Sequence, residues 1–169
     1  MTDNKNELFP VVDEQGNVTG TISRGEAHGG SMALHPVVHL HLFDPSGRLY
    51  LQHRPQWKDI QPGKWDTSTG GHVDAGETVG HALRREVREE LGITDFTPVA
   101  MGKYVFESDG ERELVYVNRT VYEGSVCPNP GELDGGRFWT ADEIEQNIGK
   151  GVFTPNFESE YKRFFQCRQ

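Results

Sequence analysis

The sequence is short of cysteine, of long hydrophobic runs and of basic side chains, and each shortage removes a class of protein. Its two cysteines, Cys127 and Cys167, stand forty residues apart with no metal-type spacing, which excludes a disulfide framework or a cysteine cluster as the source of order. No apolar stretch approaches the eighteen or so residues of a membrane span. The opening Met1-Thr2-Asp3-Asn4-Lys5-Asn6-Glu7 is polar and lacks the basic start and apolar stretch of a secretory leader, so a soluble, cytoplasmic protein is expected. Lys and Arg number 17 against 26 Asp and Glu, a net charge of −9, which argues against an electrostatic grip on nucleic acid or on an anionic membrane. Repeats, low-complexity blocks and linkers are also lacking, so the 169 residues read as a single domain, 1–169, with one modest core. An acidic chain can still take up a polyanion such as a diphosphate when a metal cation stands between them. The placement of the carboxylates therefore decides the question.

Alternating apolar residues and turn signals lay out the elements. Leu8 to Asp13 and Val18 to Ser23 form a short hairpin, and Leu34 to Phe43 and Arg48 to His53 are strands joined by Asp44-Pro45-Ser46-Gly47, in type I turn order. Trp65 to Thr69, Pro98 to Phe106, Glu113 to Tyr122 and Gly136 to Thr140 are further strands. Helices are predicted from Glu77 to Leu91, closed by Gly92, from Ala141 to Asn147, and from Asn156 to Gln166. Strands with single helices between them give an α/β class with a mixed sheet covered by helices. Trp57, Trp65, Phe106 and Phe153 offer rings to stack on a base or line an isoprenoid pocket, although aromatics at these spacings are more often core, and His39 and His41 read as packed or solvated strand residues.

The helix from Glu77 is the informative one. At about 100° per residue, Val79, Leu83, Val87 and Leu91 share a stripe roughly 120° wide; Glu86 and Glu90 lie within about 20° of its edge and Glu89 roughly 80° outside it. A solvated face with Arg85 paired to Glu89 at i, i+4 explains those two residues but leaves Glu86 and Glu90 against the core. Desolvated neighbouring carboxylates need a positive partner, and hard divalent cations take oxygen ligands together with substrate phosphates. The preceding loop, Gly70-Gly71-His72-Val73-Asp74-Ala75-Gly76-Glu77, permits the close approach of a ligand.

Gly71, Glu77, Arg85, Glu86, Val87, Glu89, Glu90, Gly92 and Ile93 stand at every position of the signature of the Nudix hydrolases, which the sequence therefore resembles without departure. The resemblance implies an α/β/α sandwich with a mixed β-sheet. It further implies that Glu86, Glu89 and Glu90, with the Gly70 carbonyl, hold Mg²⁺ or Mn²⁺, and that Glu77 and Arg85 brace the loop. The activity implied is hydrolysis of a diphosphate linkage in a nucleoside diphosphate linked to X or a similar small molecule, the base being Glu86 or a carboxylate outside the box.

A narrower resemblance, over roughly residues 10 to 140, is to the branch containing type I isopentenyl-diphosphate isomerases and related hydrolases. Gly20, Arg24, His28, His35, Arg54, Lys58, Pro62-Gly63-x-Trp65, Gly71-His72 and Glu111-x-Glu113 carry it. It implies a second divalent metal site of His28, His35, His72, Glu111 and Glu113, with Glu113 among the catalytic residues, and Arg24, Arg54 and Lys58 as cations for the diphosphate. Imidazole with carboxylate suits Mn²⁺ or Zn²⁺. The isomerases place a catalytic cysteine where this chain has Gly70, and typically Arg where it has Glu86. Hydrolysis is thus the leading expectation, with isomerase-like chemistry or a non-catalytic diphosphate sensor as alternatives. A homodimer is compatible with the resemblance.

Overall fold

The computed structural model describes residues 4–166. Its elements run in the order β1 (Leu8–Val12), β2 (Val18–Ser23), α1 (Arg24–Ala27), β3 (Leu34–Phe43), β4 (Leu49–His53), β5 (Trp65–Asp66), β6 (Thr69–His72), α2 (Val79–Leu91), β7 (Val99–Glu107), β8 (Arg112–Val121), β9 (Gly136–Trp139), α3 (Ala141–Asn147) and α4 (Pro155–Phe164). β1 and β2 form a separate hairpin. The main sheet follows the path β5-β4-β3-β8-β7, with β6 on β3 and β9 on β4. Among the described strands β3 and β8 pair in parallel, in register from Leu34↔Arg112 to Phe43↔Val121; the other strand pairs are antiparallel, so the sheet is mixed.

Period-two alternation along β3 sends its side chains to two covered faces. Val38, Leu40 and Leu42 bury against Leu83, Val87 and Leu91 of α2. From the other face, Val37 joins Val115, Val117 and Phe164, and Leu49 and Leu51 pack with Phe153, Phe157 and Tyr161 around α4. Helices therefore cover both sides of one sheet, the expected α/β/α layering. Each fully buried apolar side chain contributes roughly 1.5–3 kcal/mol.

Three departures from the sequence expectation have identifiable reasons, and the remaining boundaries shift by no more than two residues. The strand expected from Trp65 to Thr69 is two strands, β5 on β4 and β6 on β3. At the break the Ser68 hydroxyl accepts from the Leu42 N–H (2.9 Å) and donates to the Tyr50 carbonyl, which replaces ladder bonds. α2 begins at Val79, because the Thr78 hydroxyl caps it by accepting from the His81 N–H (3.1 Å), and it ends at Gly92 with φ +68°. The one-turn helix α1, closed by a Ser23/Glu26 capping box, is absent from the sequence expectation; its flanking turn delivers His28. Among the described residues no helix is long and apolar enough to cross a membrane. Cys127 is a free, exposed thiol, and Cys167 lies outside the described residues.

Candidate active site

Strand β6 separates two polar clusters. Successive residues of a strand face opposite sides. A Cβ on Gly71 would run into the Glu86 carboxyl carbon, whereas a Cβ on Gly70 would meet the His39 ring at 3.1 Å. Both glycines thus leave room for side chains that press on the backbone.

On the α2 side, Arg85 is the hub. It holds Glu77 with two bonds (Nε–Oε1 2.8 Å, Nη2–Oε2 3.0 Å), donates to the His72 carbonyl at 2.9 Å and meets Glu86 at 2.7 Å. Its i, i+4 contact with Glu89 is longer, 3.4 Å. Burial works to raise the Glu77 pKa, but Arg85 and the Asp74 N–H outweigh it and hold the carboxylate at about 2. The loop is therefore locked to the helix by an ion pair that persists at neutral pH.

Glu90 is buried and accepts from Gln52 Nε2 at 3.2 Å and from the Gly70 N–H. Burial first, then Glu86 and Glu132, raise its pKa well above the ordinary value. The Glu86 side chain is 13% exposed, and burial raises it to about 7 against the pull of Arg85; Glu89, at 43%, faces solvent. Two desolvated carboxylates beside a single arginine make an oxygen-rich, negatively charged recess, a donor set that fits a hard divalent cation.

On the other side, His28, His35, His72 and Glu113 present ligand atoms all within 4.8 Å of one another. Among the described residues Glu86, Glu89 and Glu90 do not make such a group. The Nε2 atoms of His28 and His72 are 3.1 Å apart, and Glu113 lies 3.9 Å from His35 and 3.8 Å from His72. Glu111 joins through His28 at 3.3 Å. His35 Nε2 is buried without a hydrogen-bond partner, an orphan that a metal ion would satisfy. Burial, followed by nearby Arg24 and the other imidazoles, drives the His72 pKa well below 6.5, and burial also lowers His35, so both are held in the neutral form that binds metal. Burial and then Glu111 raise Glu113 to about 7.

Of the expected cations, Arg24 bonds Glu7 at 2.9 Å and lies 5.8 Å from the Phe9 ring, beside the histidines. Arg54 donates to the Ile60 carbonyl (2.8 and 3.1 Å) and meets Asp66 at 3.4 Å, so it braces its own loop. Lys58 sits over Trp57, which is exposed rather than in the core, while Trp65, Phe106 and Phe153 pack in the core clusters.

Sequence reasoning misses three contributors. Phe9 stacks on His72 at 4.4 Å with an interplanar angle of 2°, closing the histidine cluster from the hairpin. Glu132 adds negative charge beside Glu86 and Glu90. Glu160, fully buried on α4, accepts from His39 Nδ1 (2.9 Å), His41 Nε2 (2.7 Å) and the Tyr104 hydroxyl (2.6 Å). Burial opposes the charged form of His39, yet Glu160 raises it to about 9. The sequence carries a signal for Glu160, an acid among the buried residues Phe157 and Tyr161 of a helix, the same anomaly that singles out Glu86 and Glu90.

Comparison with known proteins identifies the family. The NUDIX domain family matches residues 33–157. An uncharacterized Nudix hydrolase of Streptomyces coelicolor is 32% identical over 161 residues, 93% of this chain and 87% of its own. An isopentenyl-diphosphate delta-isomerase of Agromyces mediolanus is 40% identical over 135 residues, 75% of this chain and 65% of its own. In fold, the chain resembles a crystal structure of a Deinococcus radiodurans protein, with a TM-score of 0.81 and 24% identity over 95% of this chain and 100% of that one. The family match spans most of the sequence, and the loop-helix it covers is the one that gathers the buried carboxylates: the chain belongs to the Nudix family and is a Nudix hydrolase.

Proposed function

We propose that this Nudix hydrolase cleaves the diphosphate linkage of a nucleoside diphosphate linked to X, or of a similar organic diphosphate, by attack of water on phosphorus. The observation that carries this reading is the complete box, with Glu86 and Glu90 desolvated against Gly70 and Gly71. In this reading Glu86, Glu89, Glu90 and the Gly70 carbonyl hold Mg²⁺ or Mn²⁺, and His28, His35, His72, Glu111 and Glu113 hold a second divalent ion. A bound divalent cation supplies charge neutralisation on the phosphate oxygens and a water of lowered pKa. The residues do the rest. Glu86 and Glu113 are the carboxylates placed in the two clusters to take the proton of the attacking water. Arg24 places positive charge beside the histidine cluster for the phosphate chain, Lys58 adds a cation from its loop, and Arg54 keeps that loop in place through Ile60 and Asp66. The whole chain, 1–169, acts as one cytoplasmic domain on a small molecule rather than on nucleic acid or membrane.

Isomerisation of isopentenyl diphosphate is the rival reading, given the isomerase-named relatives. Against it, the position of the isomerase cysteine is Gly70, whose open side is filled by the His39 ring. Cys127 sits at the far end of α2, its N–H bonded to the Leu91 carbonyl, away from the histidines. The test is a panel of nucleotide and prenyl diphosphates incubated with and without Mg²⁺ or Mn²⁺. Metal-dependent phosphate or phosphomonoester release is expected, with no dimethylallyl diphosphate formed from isopentenyl diphosphate. Isomer formed at an enzyme-like rate, without hydrolysis, would replace this reading with the rival.

A further inference from the structure

His39 stands at the junction of the two clusters and belongs to neither. In the sheet it pairs with Gly70 on β6, one pleat along from the Val37↔His72 pair and two from His35↔Glu113. His35, Val37, His39 and His41 therefore share the face that carries the histidine site. The absence of a side chain at Gly70 makes room for the His39 ring: Cδ2 and Nε2 lie 3.1 and 3.4 Å from where a Cβ would stand.

The ring is fixed from behind. Nδ1 meets both oxygens of Glu160, at 2.9 and 3.2 Å, and Glu160 is further held by His41 and Tyr104, so strands β3 and β7 and helix α4 all contribute to its placement. Among the described residues Nε2 has no hydrogen-bond partner, and the side chain keeps 14% of its surface exposed, whereas His41 and Glu160 keep none. A carboxylate this buried is tolerated when a cation is paired with it. Anchoring α4 would be served by the fully buried His41 alone, which also packs on Phe165 at 4.6 Å. His39 is the member of the network that keeps some exposed surface, and its Cδ2–Nε2 edge lies beside Gly70.

We propose that His39 is a further substrate-binding residue, donating from Nε2 to a phosphate oxygen of the organic diphosphate, with Glu160 as the positioning residue that fixes its ring. The assignment rests on the hydrolase reading for the identity of the ligand. On it, His39→Ala lowers kcat/KM about ten- to hundredfold, the effect of losing one hydrogen bond to a charged group. His39→Gln, whose amide nitrogen reaches the place of Nε2, recovers most of that loss, whereas His39→Asn does not. Glu160→Gln lowers kcat/KM in wild type but adds nothing to His39→Ala.

The test that is independent of turnover uses the intact wild-type protein with imidazole ¹⁵N labelling, titrated with methylenediphosphonate in the presence of Mg²⁺. The His39 Nε2 resonance is expected to move with saturation, and to move less in Glu160→Gln at equal occupancy. A His39 resonance that stays in place when methylenediphosphonate is bound, or no binding at all, overturns the assignment, as does a His39→Ala enzyme that loses stability with unchanged kcat/KM. Should the resonance move while no diphosphate in the panel is hydrolysed, the His39 contact is supported and the hydrolase reading fails.

Discussion

Glu90→Gln is expected to lower kcat at least about a hundredfold at saturating Mg²⁺, because in the proposed reading it removes a ligand charge from the metal recess. The substitution is nearly isosteric, and the Gln52 amide and Gly70 N–H that meet Glu90 can still bond an amide oxygen. Its effect on stability has the opposite sign. Burial raises the Glu90 pKa above 4.5, so the wild-type carboxyl stabilises the metal-free fold while protonated, and that contribution is lost as pH rises through the folded value. Glutamine cannot ionise. The metal-free variant should therefore melt at or above the wild-type temperature at pH 8, and should gain less from added Mg²⁺. Wild-type kcat in the variant would remove Glu90 from the metal site; a lowered melting temperature without metal would mean that the residue serves the fold.

Replacing His28 and His35 together by alanine should abolish one of two divalent binding sites, read by elemental analysis and by Mn²⁺ or Zn²⁺ titration. The wild-type site is expected to release metal as pH falls, since protons compete for the imidazoles. Burial depresses His35 and His72 below 6.5, so their contribution to stability is present above that value and is lost as pH falls from there toward their folded pKa values. In the box site burial raises Glu86 to about 7 and Glu90 well above its ordinary value, so there protons compete with the metal from near-neutral pH downward. Equal metal content and equal pH dependence in wild type and double variant would make these histidines packing residues.

What can be read from the sequence follows the range of the interactions involved. β3 coincides with its expected bounds because ten residues of β-rich sequence end at a turn with Asp, Pro and Gly in order. α2 is legible through its stripe, and the carboxylates at the edge of that stripe mark the recess from the sequence alone. The histidine cluster is legible only by resemblance: His28 follows α1, His35 is on β3, His72 on β6 and Glu113 on β8, and no local period joins four elements. Glu160 escapes because its partners His39 and His41 lie 121 and 119 residues away, and taking those histidines as plain packing residues overlooks the carboxylate they serve. Phe9 escapes for the same reason, since a hairpin aromatic shows its purpose only once β1 is laid against β3 and His72. The break at Ser68 is invisible in the sequence because its hydroxyl takes the place of ladder bonds through partners 26 and 18 residues away, Leu42 and Tyr50.

Water attack on phosphorus is tested most directly by turnover in water enriched in oxygen-18, using the best diphosphate from the panel with Mg²⁺ or Mn²⁺ and mass analysis of both products. The expected result is oxygen-18 bonded to phosphorus in one phosphate-containing product, none in the organic moiety at carbon, and no turnover once the divalent ions are chelated. Label at carbon, or undiminished turnover after chelation, would contradict metal-dependent hydrolysis of the diphosphate at Glu86, Glu89 and Glu90.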